Sequence, residues 1–372
     1  RVHCPAQLAR HLVSSKTRAE VARKLRGAMD AADGGRLPEP SKVTVGEYLE
    51  QWLESTAKPK VRPLTYQGYR TNIRRHILPT IGHIRLNRLE PQQVQAMLNM
   101  KLAEGLSGKT VSYIRQVLRT ALNQAERWGL VARNVASLVP APRKIRKPIR
   151  PLEPDELPVF LESIRGARLE ALYLTTLALG LREGEVLGLK WRDVDLRAGQ
   201  LRVQRQMQRT AQGVVFSEPK SERGRRVIDL PPTIGTALAE HKRRQWLERL
   251  VAGTRWQEND LVFSAKIGTP LHPRSLIADF HALLQRCGLP RIRFHDLRHS
   301  AATLMLVQGI APRVVMEILG HSEIRLTLDT YSHVIPGLRR EAADRMEETL
   351  RMAMDQSRTR QRPDDSRTPD YP

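Results

Sequence analysis

Apolar residues recur every three or four positions along most of this chain, and that period predicts helices. In "SKTRAEVARKLRGAMDAADGG", Val21, Leu25 and Met29 form one stripe, Ser15 or Thr17 can cap it, and Gly34-Gly35 stops it, which predicts one amphipathic helix. Pro38 and Pro40 then mark a linker. From Val43 to Val139 the runs "VTVGEYLEQWLE", "RPLTYQGYRTNIRRHILPTIG", "EPQQVQAMLNMKLAEG" and "SGKTVSYIRQVLRTALNQAERWG" keep the helical period without strand-like alternation. They predict a small bundle. "PAPRKIRKPIRP", Pro140 to Pro151, reads as a linker, because proline at both ends and in the middle bars helix.

Beyond it, "EPDELPVFLESI" and "LEALYLTTLALGLREGEVLGL" predict helices, the first with acidic residues in its opening turn. "WRDVDL", "QLRVQRQ", "VVFSEPK" and "RRVIDL" alternate like strands, and "SERG" predicts a hairpin joining the last two. Thr233 to about Arg351 returns to helical periodicity, and "QSRTRQRPDDSRTPDYP" has none, so it predicts a disordered tail.

Length changes this picture only by implying two or three domains, since 372 residues exceed what one core usually organises. Charge changes it more. With 62 Lys+Arg against 39 Asp+Glu the net charge is +23, and such a surplus points to a polyanion, nucleic acid or an anionic membrane. No apolar run reaches the roughly 18 residues of a membrane span, and no charged n-region precedes an apolar stretch at the start. Cys4 and Cys287 are too few for a disulfide framework and fit a reducing cytoplasm. The chain opens on Arg1 rather than Met, which points to sequence preceding it.

Several polar residues sit where an apolar helix would exclude them. Arg182 and Glu185 are three apart in "GLREGE", past a long apolar stripe and close to Gly180; taken alone, an ordinary ion pair at a helix turn is the better explanation, while a buried Arg held by Glu also fixes a fork of donors for a phosphate. Lys220 ends "VVFSEPK", and a hairpin lysine usually does no more than solubilise; its neighbours Arg223, Arg225 and Arg226 make that tip cationic enough for a phosphate. Lys190, before the strands, is its nearest rival. In "HDLRH", His295 and Arg298 share a helix face, and His295 and His299 have the spacing of two metal ligands. Asp296 stands where a metalloprotease needs Glu, and only His321 offers a third ligand, so no metal is expected. His321 follows a helix that stops at Gly320, and Tyr331 stands among Thr330, Ser332 and His333, a setting that displays a phenol. Phosphate contacts are expected from Arg70, Arg74 and Arg75 in the bundle, Arg143, Lys144, Arg146 and Lys147 in the linker, and Arg223 and Arg225 at the tip.

Taken together these residues follow a fixed order, and "GLREGE", "HDLRHSAAT", "LGHS" and "DTYSHV" resemble the boxes of the tyrosine recombinases, the phage and transposon integrases. The resemblance covers most of Val43 to Met346. It implies a multi-domain, mainly α chain in which a helical, SAM-like core-DNA-binding bundle precedes a mixed α/β catalytic domain with a small antiparallel sheet. The expected divisions are a partial N-terminal arm-type region (1–40), the bundle (41–140), a basic linker (141–151), the catalytic domain (152–346) and a C-terminal tail (347–372). The two domains are expected to clamp DNA as a C shape.

The resemblance also implies roles. Arg182 and Arg298 would hold the scissile phosphate, Tyr331 would attack it, and His295 would be the base. Lys220 would protonate the leaving oxygen, His321 would donate to the phosphate, and Glu185 would orient this shell. No cofactor is expected. The partners implied are double-stranded DNA at core attachment sites, three further copies in a tetramer, and a directionality factor or host DNA-bending protein, with the cytoplasm as the compartment and no membrane involved. A DNA-binding relic that no longer cuts, and a topoisomerase-like enzyme that nicks and reseals, are the other classes consistent with these residues.

Overall fold

A computed structural model describes residues 42–143, 150–210, 213–219, 222–320, 343–344 and 346–354. The helix expected at Thr17–Ala32, the linker cations Lys144, Arg146 and Lys147, and Lys220, His321, Tyr331 and His333 lie outside them, as does the tail from 355. The chain separates into two compact units, one ending at Lys147 and the other beginning at Pro148.

In the first unit, α1 (Val45–Trp52) begins at Thr44, whose hydroxyl accepts from the Glu47 amide while Glu47 bonds back to the Thr44 amide. This reciprocal cap satisfies two of the amides a helix start leaves open. Val45, Tyr48, Leu49 and Trp52 face inward at the helical period. A wider π-turn, Leu53–Ala57, follows, and α2 (Pro63–Asn72) likewise runs into a π-turn at Ile73–Ile77. Residues four apart, Leu53 and Ala57 and then Ile73 and Ile77, stay buried through these turns. α3 (Pro91–Ala103) and α4 (Gly108–Arg127, capped by Ser107) complete the core with the single turn α5 (Val135–Leu138). The Tyr48 hydroxyl donates to the Ala121 carbonyl at 2.7 Å, and Trp52 stacks on Tyr69 at 5.6 Å between centroids.

The second unit is built on α7 (Glu170–Leu179), which follows α6 (Glu156–Ile164) and packs against α9 (Pro232–Ala252) and α11 (Asp296–Val307). Phe160, Tyr173, Phe280 and Phe294 form its aromatic centre, with Phe280 supplied by α10 (Pro273–Arg286). Edge-to-face contacts such as Phe280–Phe294, at 5.5 Å, suit the ring quadrupoles. The short helices α8 (Glu183–Leu187) and α12 (Pro312–Leu319) carry the site described below.

The strands differ from the sequence expectation. β1 (Val194–Asp195), β2 (Gln200–Val203) and β5 (Arg226–Asp229) form one antiparallel sheet in that order, while β3 (Gln206–Thr210) and β4 (Gly213–Ser217) pair as a separate hairpin. "VVFSEPK" therefore pairs with Gln206–Thr210, not with "RRVIDL", and the residues before β5 form a 3-10 turn, Glu222–Gly224. The reason lies in the run "QLRVQRQMQRT", which is two strands rather than one. Leu201 and Val203 turn inward opposite Ile228 and Arg226, and pairing across the core face fixes that register. The chain after Thr233 is also not helical throughout, since loops separate α9, α10 and α11. Residues 346–354 are helical, so helix continues into the stretch assigned to the tail.

Candidate active site

Two helices of the second unit end on glycines in the left-handed conformation, Gly180 after α7 (φ 60°) and Gly320 after α12 (φ 64°). Positive φ suits glycine, and the space does too: a Cβ on Gly180 would lie 2.3 Å from Leu319 Cδ2 and 3.6 Å from Arg298 Cγ. These two ends bring carbonyl oxygens together, where the helix dipole leaves partial negative charge.

Arg298, on α11, lies between them. It is 2 % exposed, and its Nη1 donates to the Gly180 carbonyl at 2.6 Å and its Nη2 to the Leu319 carbonyl at 2.7 Å. Burying a guanidinium is costly unless its donors are met, and the two carbonyls meet donors while fixing the plane of the fork. Arg182 stands at the start of α8. Its Nη1 donates to Glu185 Oε1 at 2.6 Å, and its Nη2 to the Gly320 carbonyl at 3.1 Å, so the two arginines grip consecutive carbonyls at the end of α12.

Glu185 is buried and accepts from both sides. Oε2 takes the Arg182 amide at 3.1 Å and Arg226 Nη2 at 3.0 Å. Burial alone would raise its pKa, but Arg226 and then Arg182 more than offset this and hold the carboxyl below its usual range. The carboxylate is thus charged at neutral pH.

His295 begins α11. The residue as a whole is exposed, yet the atoms packed around its ring disfavour the imidazolium, and the charges of Arg298 and Arg182 add to that effect, so its pKa falls below 6.5. A neutral imidazole at pH 7 can accept a proton. His299, one turn on, meets it edge to face at 5.1 Å, and packing first, then His295, lowers its pKa to about 4. Asp296 holds the turn before the helix by accepting from the Arg293 amide at 2.8 Å and from its guanidinium.

Of the residues singled out in the sequence, the structure gathers Arg182, Glu185, His295 and Arg298; Lys220, His321 and Tyr331 fall outside the described residues. Lys190 has its ammonium 5.5 Å from the centre of the Phe216 ring. Among the described residues no three His, Cys, Asp or Glu side chains are grouped to hold a metal ion.

The expected phosphate contacts are varied. In the first unit Arg70 is half-buried, Arg75 is exposed, and Arg74 is paired by two 2.9 Å bonds to Glu50. Arg143 and Arg223 are exposed, and Arg225 is exposed but pairs with Glu218. Arg226 does not belong to the cationic tip: it is the first residue of β5, with its side chain 7 % exposed. In the sequence it stands with the cations of the tip, but two residues before inward-facing Ile228 it falls on the inward face of the strand.

Residues 44–102 match the phage integrase N-terminal SAM-like domain, and residues 150–336 match the phage integrase family. An integrase of Saccharopolyspora erythraea is 29 % identical over 91 % of this chain and 90 % of its own, and the phiRv2 prophage integrase of Mycobacterium tuberculosis is 30 % identical over 80 % and 76 %. The fold matches the Tn1549 transposon integrase, solved with transposon right-end DNA, at a TM-score of 0.70 and 22 % identity, covering 82 % of this chain and all of that one. It also matches a lambda integrase tetramer on a Holliday junction at a TM-score of 0.56 and 18 % identity, over 83 % of this chain and 89 % of that one. The chain belongs to the phage integrase family, the tyrosine recombinases.

Proposed function

We propose that this recombinase cuts and rejoins DNA through a 3′-phosphotyrosyl link to Tyr331 and thereby integrates a mobile element. The observation that supports this most is the pairing of Arg182 and Arg298 on consecutive carbonyls at the end of α12, beside an imidazole whose pKa is depressed. Two fixed guanidinium forks fit the non-bridging oxygens of one phosphodiester.

In this scheme the Tyr331 oxygen attacks phosphorus and its proton passes to His295. The bond from phosphorus to the 5′-oxygen breaks, and that oxygen takes a proton from Lys220. A phenol with a reference pKa near 10 needs both a base and a cationic surround to attack at neutral pH. Arg182, Arg298 and His321 stabilise the charge that builds on the phosphate, and a preorganised donor of this kind contributes about 3–4 kcal/mol to lowering a barrier. Glu185 holds Arg182. The covalent link conserves the bond energy, so a 5′-hydroxyl of a second strand can reverse the step with neither ATP nor metal.

The bundle at 41–140 and the catalytic domain at 152–346 both bind the core site, with the linker cations on the phosphates between. Exchange takes two duplexes and four copies, helped by a directionality factor or a DNA-bending protein. The direct repeats that flank the integrated element supply the core site for a test on a nicked duplex. Wild type forms a covalent protein–DNA adduct and Tyr331→Phe does not. Binding without adduct assigns the protein to a non-cutting relic. Relaxation of supercoils on any sequence, without recombinants, assigns it to topoisomerase-like nicking and resealing.

A further inference from the structure

Arg226 spans three parts of the second unit with one side chain. It opens β5 with Val203 as its register partner, and each of its nitrogens meets a different acceptor. Nε donates to the Ile318 carbonyl near the end of α12 at 2.5 Å, Nη1 to the Gly224 carbonyl at 3.2 Å, and Nη2 to Glu185 Oε2 at 3.0 Å. The other Glu185 oxygen is the one that holds Arg182. The approach is close enough to require glycine at the end of α12, since a Cβ on Gly320 would stand 2.9 Å from Arg226 Nη1 and 2.9 Å from the Arg223 carbonyl.

All three nitrogens of this arginine are engaged by oxygens of the protein. Two of those acceptors belong to the group that aims Arg182 and to the helix whose last carbonyls receive both Arg182 and Arg298. We propose that Arg226 is a positioning residue for DNA cleavage: it locks Glu185 and the end of α12 together, and so fixes Arg182 on the scissile phosphate. This rests on reading Arg182 as the phosphate clamp.

The test compares single-turnover cleavage of a nicked duplex whose scissile linkage is a phosphodiester or a methylphosphonate. A methyl group in place of one non-bridging oxygen removes the anionic charge, so an arginine clamp has less to stabilise. Arg226→Met is expected to slow cleavage of the phosphodiester on the order of 10²-fold, the scale of a misplaced catalytic group. On the methylphosphonate that penalty shrinks by about tenfold or more, as does the penalty of Arg182→Ala, while DNA affinity is kept.

Equal slowing on both linkages by Arg226→Met, with the Arg182→Ala penalty shrinking, overturns the proposal for Arg226 and leaves the clamp standing. An Arg182→Ala penalty that does not shrink overturns the clamp itself. If Arg226→Met fails to fold, Arg226→Lys carries the same comparison, because it keeps a cation opposite Glu185 but lacks the fork that reaches Ile318 and Gly224.

Discussion

His295 and His299 make the site sensitive to acid in two separable ways. The proposed base catalysis needs neutral His295, and crowding together with Arg298 and Arg182 lowers its pKa below 6.5. The acid limb of adduct formation should therefore centre below pH 6.5; an acid limb centred above 6.5 contradicts His295 as the base. His299 affects stability. Its folded-state pKa of about 4 lies below the 6.5 of an unfolded chain, so between these values the unfolded state binds more protons. The stability it contributes is full above pH 6.5 and is lost as pH falls toward 4. Thermal melts across that window should show a steeper fall for wild type than for His299→Gln. The residues legible in the sequence are those whose side chains make the motif: Arg182 and Glu185 three apart, His295 and Arg298 three apart. The partners of Arg298 were not legible, because its acceptors are backbone carbonyls of residues 180 and 319, and a carbonyl carries no sequence signature.

Helix ends do more here than stop helices. The α7 end at Gly180 lets Leu319 and Arg298 close on the backbone, and alanine there would combine a left-handed strain with a clash against buried Leu319. Gly180→Ala is expected to cost roughly 2–4 kcal/mol of stability and to slow cleavage by shifting the Arg298 acceptor; an unchanged denaturation midpoint would contradict this. Helices α1 and α4 of the bundle were readable because each has a buried apolar stripe and a side-chain cap, Thr44 for the first and Ser107 for the second. Strand pairing was not. The short runs at Gln200–Val203 and Gln206–Thr210 stand two residues apart but belong to different sheets, and their partners, the distant Ile228 for Leu201 and the hairpin neighbour Phe216 for Met207, decide which.

At the scale of the whole molecule, a net charge of +23 predicts DNA affinity that falls steeply with salt, because each neutralised phosphate releases counterions. Within the bundle the cations are not equivalent. Arg75→Ala should weaken binding on all sequences and reduce the log–log salt slope by about one, whereas Arg74→Ala should do less, since Glu50 already occupies its fork; equal effects would contradict the pairing as a restraint on DNA contact. The charge was legible from composition, but which arginines are engaged by carboxylates was not, because Glu50 on α1 and Arg74 in the π-turn after α2 lie 24 residues apart and meet only in the fold. The central claim is that one tyrosine attacks a phosphate held by Arg182 and Arg298. Its most direct measurement is to trap wild type on a nicked core-site duplex in EDTA, digest the adduct and identify the modified peptide. The account predicts a 3′-phosphate esterified to Tyr331; an adduct on any other residue, or none from protein that binds the duplex, would contradict it.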